Sequence, residues 1–266
     1  MEYNKSGSRP VKRRLRKDRL FACLAVLVIV IVGISSLISG CSKKAKNKDK
    51  EKTTKTDVQV TQQTTVPVEN NNYIICVDPG HGGSDPGSNY GDRTEVVDNL
   101  KYATIVYEEL NKREGIEAII TRTTNDVHIE NKERAEISNR AGADLHLALH
   151  RNQSEDSTAN GVEVWVQKEA EVVDEVLGYK IREALKEVGI QSDRGTQAGY
   201  TSDKQNNFQI IEYTDMTACI VELGFISNDE DNRLFDKHYK EYAVAIADVI
   251  EEMCADGYFD DTSSDD

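Results

Sequence analysis

The sequence predicts an α/β protein with a single doubly wound, mostly parallel sheet that carries helices on both faces. Short apolar runs alternate with helical patterns from residue 73 to residue 256, and nothing repeats at a fixed period. Only four Pro and 17 Gly among 266 residues exclude collagen-like and Pro/Gly-rich chains. We expect this domain to follow an N-terminal membrane segment, residues 1–41, and a disordered tether, residues 42–72.

The membrane segment is predicted from charge and hydropathy. Residues 1–19 hold eight Lys/Arg, and Phe21–Ser39 then has no charged side chain over 19 residues. Such a run is long enough to span a bilayer, and the basic residues before it predict that the rest of the chain is exported. The run ends in Ile38-Ser39-Gly40-Cys41, which resembles a bacterial lipobox. Cys41 is therefore either the lipidated mature N-terminus or part of an uncleaved signal anchor, and both place the body outside the cytoplasmic membrane and tied to it.

The tether and the body differ in charge. Residues 1–60 carry 15 Lys/Arg against 5 Asp/Glu, whereas residues 61–266 carry 18 against 42. Residues 42–72 are rich in Lys, Thr and Gln, which predicts disorder because such a segment can bury little apolar surface. The acidic body is a poor candidate for binding a phosphate backbone, so nucleic acid is excluded as a partner. Residues 257–266 form an acidic tail.

The elements of the body follow from apolar periodicity and turn residues. Strands are predicted at Tyr73–Val77, Glu117–Thr121, Asp144–Leu149, Val162–Val166, Phe208–Ile211 and Ala218–Leu223. Helices are predicted at Glu95–Arg113, Asn131–Arg140, Val173–Val188 and Tyr239–Met253. Leu145, Leu147 and Leu149 alternate along the third strand, so we expect them to face the core together.

Chemically active side chains follow three of these strands, at the ends where sites gather in open α/β sheets. The first strand ends near His81 in a Gly-rich loop, the third ends at His150, and the last ends at Glu222. Glu95 begins the first long helix. Two imidazoles and a carboxylate are ligands typical of a hydrolytic zinc ion, and a further carboxylate can move the proton of the attacking water. The sequence therefore predicts a hydrolytic metal site.

The other His residues and the Cys residues of the apolar strands are not expected to take part in this site. His146 lies four residues before the predicted ligand of the third strand, about 13 Å away, which is too far to share one ion. His128 and His238 have no ligand-like setting and should lie at the surface. Cys76 and Cys219 lie inside apolar strands and should behave as small hydrophobic residues. The five Cys in total form neither a disulfide framework nor a Cys-based zinc pattern.

At these residues the sequence resembles the zinc-dependent N-acetylmuramoyl-L-alanine amidases of the amidase 3 family, which hydrolyse peptidoglycan. The resemblance extends from about Tyr73 to Met253. The matching segments are IICVDPGHGGSDPGS (74–88), Glu95 with Asn99-Leu100, Thr121-Arg122, Arg134, Asn139, His150-Arg151-Asn152, GVEVWV (161–166) and VELGFISNDED (221–231). The chain departs from the family pattern, without loss of a matching ligand, at Asn131, Ala148, Arg151, Glu212 and Thr217.

The resemblance implies one zinc ion held by His81, Glu95 and His150, with Glu222 as the catalytic carboxylate. It implies cleavage of the amide between N-acetylmuramic acid and the L-alanine of the stem peptide. Asn152 is a candidate donor to the developing oxyanion. Two alternatives stay open: a non-catalytic, wall-binding lipoprotein with an amidase-like fold, and another zinc hydrolase, either a stem peptidase or a sugar deacetylase. The expected partners are peptidoglycan and the cytoplasmic membrane, and the sequence identifies no protein activator.

Overall fold

The computed structural model describes residues 72–200 and 208–260. The strands, in chain order, are β1 (Tyr73–Pro79), β2 (Asn89–Tyr90), β3 (Arg93–Thr94), β4 (Ile116–Ile120), β5 (Leu145–Asn152), β6 (Val162–Val166), β7 (Asp193–Ala198) and β8 (Thr217–Phe225). β2 and β3 form a separate antiparallel hairpin, and the other strands form a six-stranded sheet in the order β4-β1-β5-β8-β6-β7. All neighbours in this sheet are parallel except β6 and β8.

The described part of the chain also contains five helices. They are α1 (Glu95–Leu110), α2 (Asn131–Ala141), α3 (Val172–Val188), α4 (Gln209–Glu212) and α5 (Asp229–Ala255). The larger core lies between one face of the sheet and α1, α3 and α5, whereas α2 and α4 pack on the other face around Ala148 and Trp165. Leu145, Leu147 and Leu149 are fully buried in the larger core, as their alternation predicts. The predicted α/β class with a mostly parallel sheet is confirmed.

Strand direction decides which residues meet at one edge of the sheet, which we call the site edge. β1, β5 and β8 end at the site edge, whereas β6 and β7 begin there because they run the opposite way. His150 of β5 is paired with Glu222 of β8, and Glu222 is paired with Glu163 of β6. Directly paired residues point to the same face of a sheet, so these three side chains form a row.

A buried polar cluster lies beside the site edge, on the α2 face of the sheet. Asp78 of β1 accepts a hydrogen bond from Arg134 Nη1 at 2.6 Å and another from the Thr121 hydroxyl, and His146 Nε2 lies 3.5 Å from its Oδ2. Burial alone would raise the pKa of the Asp78 carboxyl. The nearby His146 imidazole and the positive charge of Arg134 outweigh burial and hold that pKa well below its ordinary value.

We expect Asp78→Asn to lower the free energy of unfolding by about 3 kcal/mol at neutral pH, because Arg134 stays buried without its carboxylate. A carboxyl with a depressed folded-state pKa stabilises the fold above its unfolded pKa of about 3.9, and this stabilisation is lost as pH falls towards the folded value. The wild type should therefore lose more stability than the variant between neutral pH and about pH 3. Urea unfolding measures both effects, with exposed Asp126→Asn as the control. Identical acid slopes for wild type and Asp78→Asn would contradict this prediction.

The structure corrects the predicted strand at Phe208–Ile211 and adds three strands, which are β7 of the main sheet and the two short strands of the β2–β3 hairpin. The segment belongs to the short helix α4, where Ile210 and Ile211 are both buried although they are consecutive. A short apolar run does not distinguish a strand from a buried helical turn, so the prediction was wrong. β7 was not predicted because its residues, Asp193–Ala198, form no apolar pattern, and its exposure fits an edge strand.

The last helix is longer than predicted. α5 begins at Asp229 rather than Tyr239, because the Asn228 side chain caps it by accepting hydrogen bonds from the backbone N–H groups of Glu230 and Asp231. Three acidic residues in its first turn add favourable interactions with the helix dipole. The helix was predicted from its apolar periodicity alone, and its polar first turns do not show that periodicity.

The predictions for the N-terminal segment concern residues outside the described part. These are the membrane segment with Cys41, at residues 1–41, and the tether up to residue 71. The acidic tail beyond residue 260 is likewise outside it. Among the residues that the structure describes, no helix is both long and apolar enough to cross a membrane.

Candidate metal centre

The loop that follows β1 carries the first predicted ligand. His81 has a φ of 64°, in the left-handed region that few residues other than glycine adopt. Two buried arginines hold the backbone of the loop: Arg122 donates to the carbonyls of Pro79 and Gly80, and Arg134 donates to the carbonyl of His81. These hydrogen bonds maintain a conformation that costs about 1–3 kcal/mol on its own.

Glu95 is the first residue of α1 and directly follows the β2–β3 hairpin. Only 3% of its surface is exposed. Its Oε2 accepts a hydrogen bond from the Ser88 N–H at 2.9 Å, and its Oε1 accepts from the Arg151 N–H and the Asn99 side chain, each at 3.2 Å. The carboxylate is therefore fixed in one orientation by groups from α1, from the loop before β2 and from β5.

His81, Glu95 and His150 converge at the site edge. His81 Nε2 and His150 Nδ1 lie 3.1 Å and 2.9 Å from the same oxygen, Glu95 Oε1. One ligand atom from each residue lies within 4.8 Å of the other two. Burial alone would raise the pKa of Glu95, but His150 and His81 outweigh it and hold that pKa well below its ordinary value. Burial alone would lower the pKa of His81, but Glu95 and Asp85 raise it to about 9.

Asp85 orients the first imidazole. Its Oδ2 lies 2.8 Å from His81 Nδ1, which leaves Nε2 facing Glu95, and its Oδ1 accepts a hydrogen bond from the Gly87 N–H at 3.0 Å. Such a carboxylate partner fixes the tautomer and the ring orientation of a metal-ligating histidine. Asp85 was not predicted from the sequence, although its position four residues after His81 in the same Gly-rich loop was an available signal.

The arrangement fits a divalent metal ion. Two imidazoles and one carboxylate form the donor set of hydrolytic zinc sites, which leave a coordination position for water. Glycines give the ligands their space: an added Cβ at Gly80 would lie 2.1 Å from His150 Cε1, and one at Gly87 would lie 2.6 Å from His81 Cδ2. The structure thus brings together the three residues that the sequence predicted as ligands.

We expect Gly80→Ala to weaken metal binding about 10- to 100-fold, the loss that follows when a ligand's support is disturbed. The new methyl group would overlap the His150 ring and displace it from Glu95. Competition with a chromophoric chelator measures the affinity. Gly142→Ala is the control, because it strains a left-handed helix end where nothing lies within 4 Å. Equal metal affinities for Gly80→Ala and the wild type would contradict this expectation.

Glu222 lies on β8 beside His150, at the place where a further carboxylate was predicted. Its Oε2 is buried and has no hydrogen-bond partner in the described part of the chain. Burial and the negative charges of Glu95 and Glu163 raise the pKa of Glu222 well above its ordinary value. Carboxyl groups with raised pKa values are typical general acids and bases, and the proton-transfer role of Glu222 stays a prediction.

Glu163 is a second carboxylate at the site edge, and no role was predicted for it from the sequence. It lies across from Glu222 and accepts hydrogen bonds from Asn152 Nδ2 at 2.6 Å, Trp165 Nε1 at 3.1 Å and Arg194 Nε at 3.0 Å. Asn152, the candidate oxyanion donor, thus directs its amide group to Glu163. The available signal was a charged residue inside the otherwise apolar run GVEVWV.

Arg151 supports the centre from the opposite face of the sheet. Alternation along β5 directs it away from His150 into the larger core, where its Nη1 donates to Asp98 at 2.6 Å and its guanidinium lies 4.4 Å from the centre of the Phe235 ring. Asp98 lies one turn after Glu95 on α1. This buried pair therefore ties α1 to β5 and helps to set the separation of Glu95 from His150.

The other His residues, and the Cys residues in the described part of the chain, lie outside this cluster. His146 is fully buried, with its Nδ1 2.6 Å from a serine hydroxyl of α2, and His128 is exposed. His238 is half-buried on α5 rather than fully at the surface. Cys76 and Cys219 are buried free thiols, and burial raises the pKa of both. Their expected behaviour as small hydrophobic residues agrees with this burial.

The fold and this cluster together define a class of protein. Residues 75–252 match the N-acetylmuramoyl-L-alanine amidase family, Amidase_3, and the chain belongs to that family. It is 30% identical over 186 residues to the probable cell wall amidase LytH of Staphylococcus epidermidis, in a match that covers 69% of this chain and 56% of that protein. The chain therefore spans little more than half the length of the curated relatives it matches.

Solved structures agree with the fold. The N-acetylmuramoyl-L-alanine amidase from Clostridium difficile 630 matches with a TM-score of 0.63 at 27% identity, covering 70% of this chain and 98% of that one. The catalytic domain of CwlV, an N-acetylmuramoyl-L-alanine amidase from Bacillus (Paenibacillus) polymyxa var. colistinus, matches with a TM-score of 0.60 at 30% identity, covering 69% and 98%. Both matches correspond in extent to the described domain.

Proposed function

We propose that residues 73–256 form the catalytic domain of a peptidoglycan hydrolase with one zinc ion. It cleaves the amide bond between N-acetylmuramic acid and the L-alanine of the stem peptide. The observation that carries this proposal is the cluster of His81, Glu95 and His150, in which one ligand atom from each residue lies within 4.8 Å of the other two. Glu222 lies next to this cluster, and the chain belongs to the amidase family. This donor set suits zinc because it combines neutral imidazoles with one carboxylate.

The side chains have distinct roles in the proposed reaction. A bound zinc ion would activate a water molecule and polarise the scissile carbonyl. Glu222 takes the proton of the attacking water on its carboxylate and delivers it to the departing alanine nitrogen. Its raised pKa supports the second step, because the protonated form is favoured by burial and by the neighbouring carboxylates. Asp85 orients His81 through Nδ1 and so keeps Nε2 available for the ion.

Digestion of purified peptidoglycan followed by mass spectrometry tests the proposal. We expect free stem peptides that begin with L-alanine and glycan strands whose lactyl groups carry no peptide. A chelator should abolish the products, and added zinc should restore them. Peptides cut within the stem would identify a peptidase instead, and deacetylated sugars would identify a deacetylase. Wall binding without any product would favour the non-catalytic alternative.

We also propose that the domain works outside the cytoplasmic membrane, tied to it by the N-terminal segment. The basic residues 1–19, the uncharged run Phe21–Ser39 and Cys41 support this location. The substrate of the proposed reaction lies on the same side of the membrane. Cell fractionation should recover the protein with membranes. A mature form that lacks residues 1–40 and carries a lipid would favour a lipid anchor over a signal anchor. Recovery of the wild type in the soluble fraction would contradict both.

A further inference from the structure

We propose that Arg194 binds a carboxylate of the stem peptide and so favours substrates whose peptide carries a free acid. This inference rests on the proposed function and adds a substrate-binding site to it. Arg194 extends the row formed by His150, Glu222 and Glu163 at the site edge to a fourth strand.

The position of Arg194 follows from the reversed strands. β7 is parallel to β6, with Val162 paired to Asp193, so the first residues of β7 lie at the site edge. The hydrogen bond from Arg194 Nε to Glu163 Oε2, at 3.0 Å, directs the arginine side chain to the face that Glu163 shares with Glu222. Three strand intervals separate β5 from β7, about 14 Å. A peptide that extends from the reaction centre along this row covers that distance within about four residues.

The guanidinium of Arg194 is held in place on two sides. Glu163 binds its Nε, and the ring of Phe225 lies beneath it, with 4.9 Å between the guanidinium carbon and the ring centre. Phe225 is only 3% exposed and is paired with Asn152 after a shift in the register of β5 and β8. Glu163 is itself fixed by two further donors, from Asn152 and Trp165. The arginine is therefore preorganised by a buried framework rather than by another mobile surface residue.

Two donor groups of this arginine remain available for a ligand. The Arg194 side chain is 40% exposed, and among the described residues neither Nη atom makes a hydrogen bond. By contrast, the Nη atoms of Arg122, Arg134 and Arg151 all donate to protein acceptors. A guanidinium that is fixed through Nε and open at both Nη atoms presents two parallel N–H donors, the geometry that matches a carboxylate.

The chemistry of the substrate indicates which carboxylate this is. In the proposed substrate the lactyl carboxyl of N-acetylmuramic acid is part of the scissile amide, so free carboxylates belong to the peptide and not to the N-acetylated sugars. Glu163, and Glu222 whenever it is ionised, would repel an acidic peptide that approaches along the row. The positive charge of Arg194 offsets this repulsion at the end of the row and holds the peptide there.

The test compares two soluble muramyl peptides that differ only in whether the peptide carboxylates are free or amidated. For Arg194→Gln we expect KM for the free-acid substrate to rise about 10- to 100-fold, as for loss of a charge-assisted hydrogen bond. KM for the amidated substrate should change less than about twofold. Arg194→Lys retains the charge but not the planar pair of donors, so its effect should be intermediate.

The ratio of the two KM values distinguishes loss of the carboxylate contact from a structural disturbance of the site. A disturbance transmitted through Glu163 to Glu222 affects both substrates equally and leaves the ratio unchanged. Arg113→Gln is the matched control: this half-buried arginine pairs with Asp248 and Glu251 at the opposite end of α1, and the KM ratio should stay unchanged. An unchanged ratio in Arg194→Gln would overturn the inference.

Failure of the proposed function would look different. If the wild type cleaves neither substrate, the amidase proposal fails. The affinities of the two peptides, measured by calorimetry, then test the role of Arg194 directly. Weaker binding of only the free-acid peptide by Arg194→Gln would still support the inference. Equal binding of that peptide by the wild type and Arg194→Gln would overturn it.

Discussion

Glu222→Gln should lower kcat for amide hydrolysis by about 10²- to 10⁴-fold while the protein keeps its metal. Glutamine preserves the shape of the side chain but can neither take up nor release the proton that the reaction moves. Glu222 is not one of the three clustered ligand residues, so its loss should not reduce the zinc content. Muropeptide release and elemental analysis of the same preparation measure the two quantities.

The fold should tolerate this substitution. A raised folded-state pKa means that ionised Glu222 destabilises the fold as pH rises above the unfolded pKa. A neutral amide should therefore leave the free energy of unfolding equal or higher at neutral pH. Glu117→Gln, an exposed change on β4, is the matched control and should retain full turnover. Normal turnover by Glu222→Gln would exclude proton transfer by this residue. Loss of zinc from the variant would instead show that Glu222 is a metal ligand.

The candidate ligands could be predicted because their positions follow from local sequence patterns. His81, His150 and Glu222 each lie at or just after the end of an apolar run, and Glu95 begins a helix with clear periodicity. The parallel pairing of β1, β5 and β8 brings the ends of those runs to one edge. The parallel arrangement was enough to expect His81, His150 and Glu222 as neighbours, whereas the ligand role of Glu95 was implied by the family resemblance.

Glu163 and Arg194 could not be predicted in the same way, because an apolar run does not reveal the direction of its strand. A search for site residues at the carboxyl ends of the strands assumes that all strands are parallel. β6 is antiparallel to β8, so its first residues, and not its last, lie at the site edge. Arg194 lies in a polar segment that shows no strand pattern at all. Strand direction is decided by packing across the whole sheet, so it is absent from any short window of sequence.

The support behind the ligands is also a property of the folded chain. Arg122 and Arg134 come from separate segments, yet both donate to the backbone of the loop that carries His81. Arg151, to which the sequence assigned no structural role, links α1 to β5 through Asp98. Residue type suggests that a buried arginine has partners, but only the tertiary structure identifies them.

His81→Ala and His150→Ala should each remove bound zinc and lower amidase activity to the uncatalysed background. Each variant leaves one imidazole and one carboxylate, too few protein ligands for a hydrolytic zinc site. His238→Ala, on α5 and outside the cluster, should retain one zinc ion per chain and normal turnover.

Asp85→Asn should give an intermediate result, with zinc affinity about 10- to 100-fold weaker, because it disturbs the orientation of His81 without removing a ligand. The order of zinc affinities should therefore be wild type and His238→Ala, then Asp85→Asn, then the two ligand variants. Full zinc content in either ligand variant would mean that the ion is held elsewhere, and the proposed centre would have to be abandoned. An affinity of Asp85→Asn equal to that of the wild type would show that the Gly-rich loop orients His81 without the carboxylate.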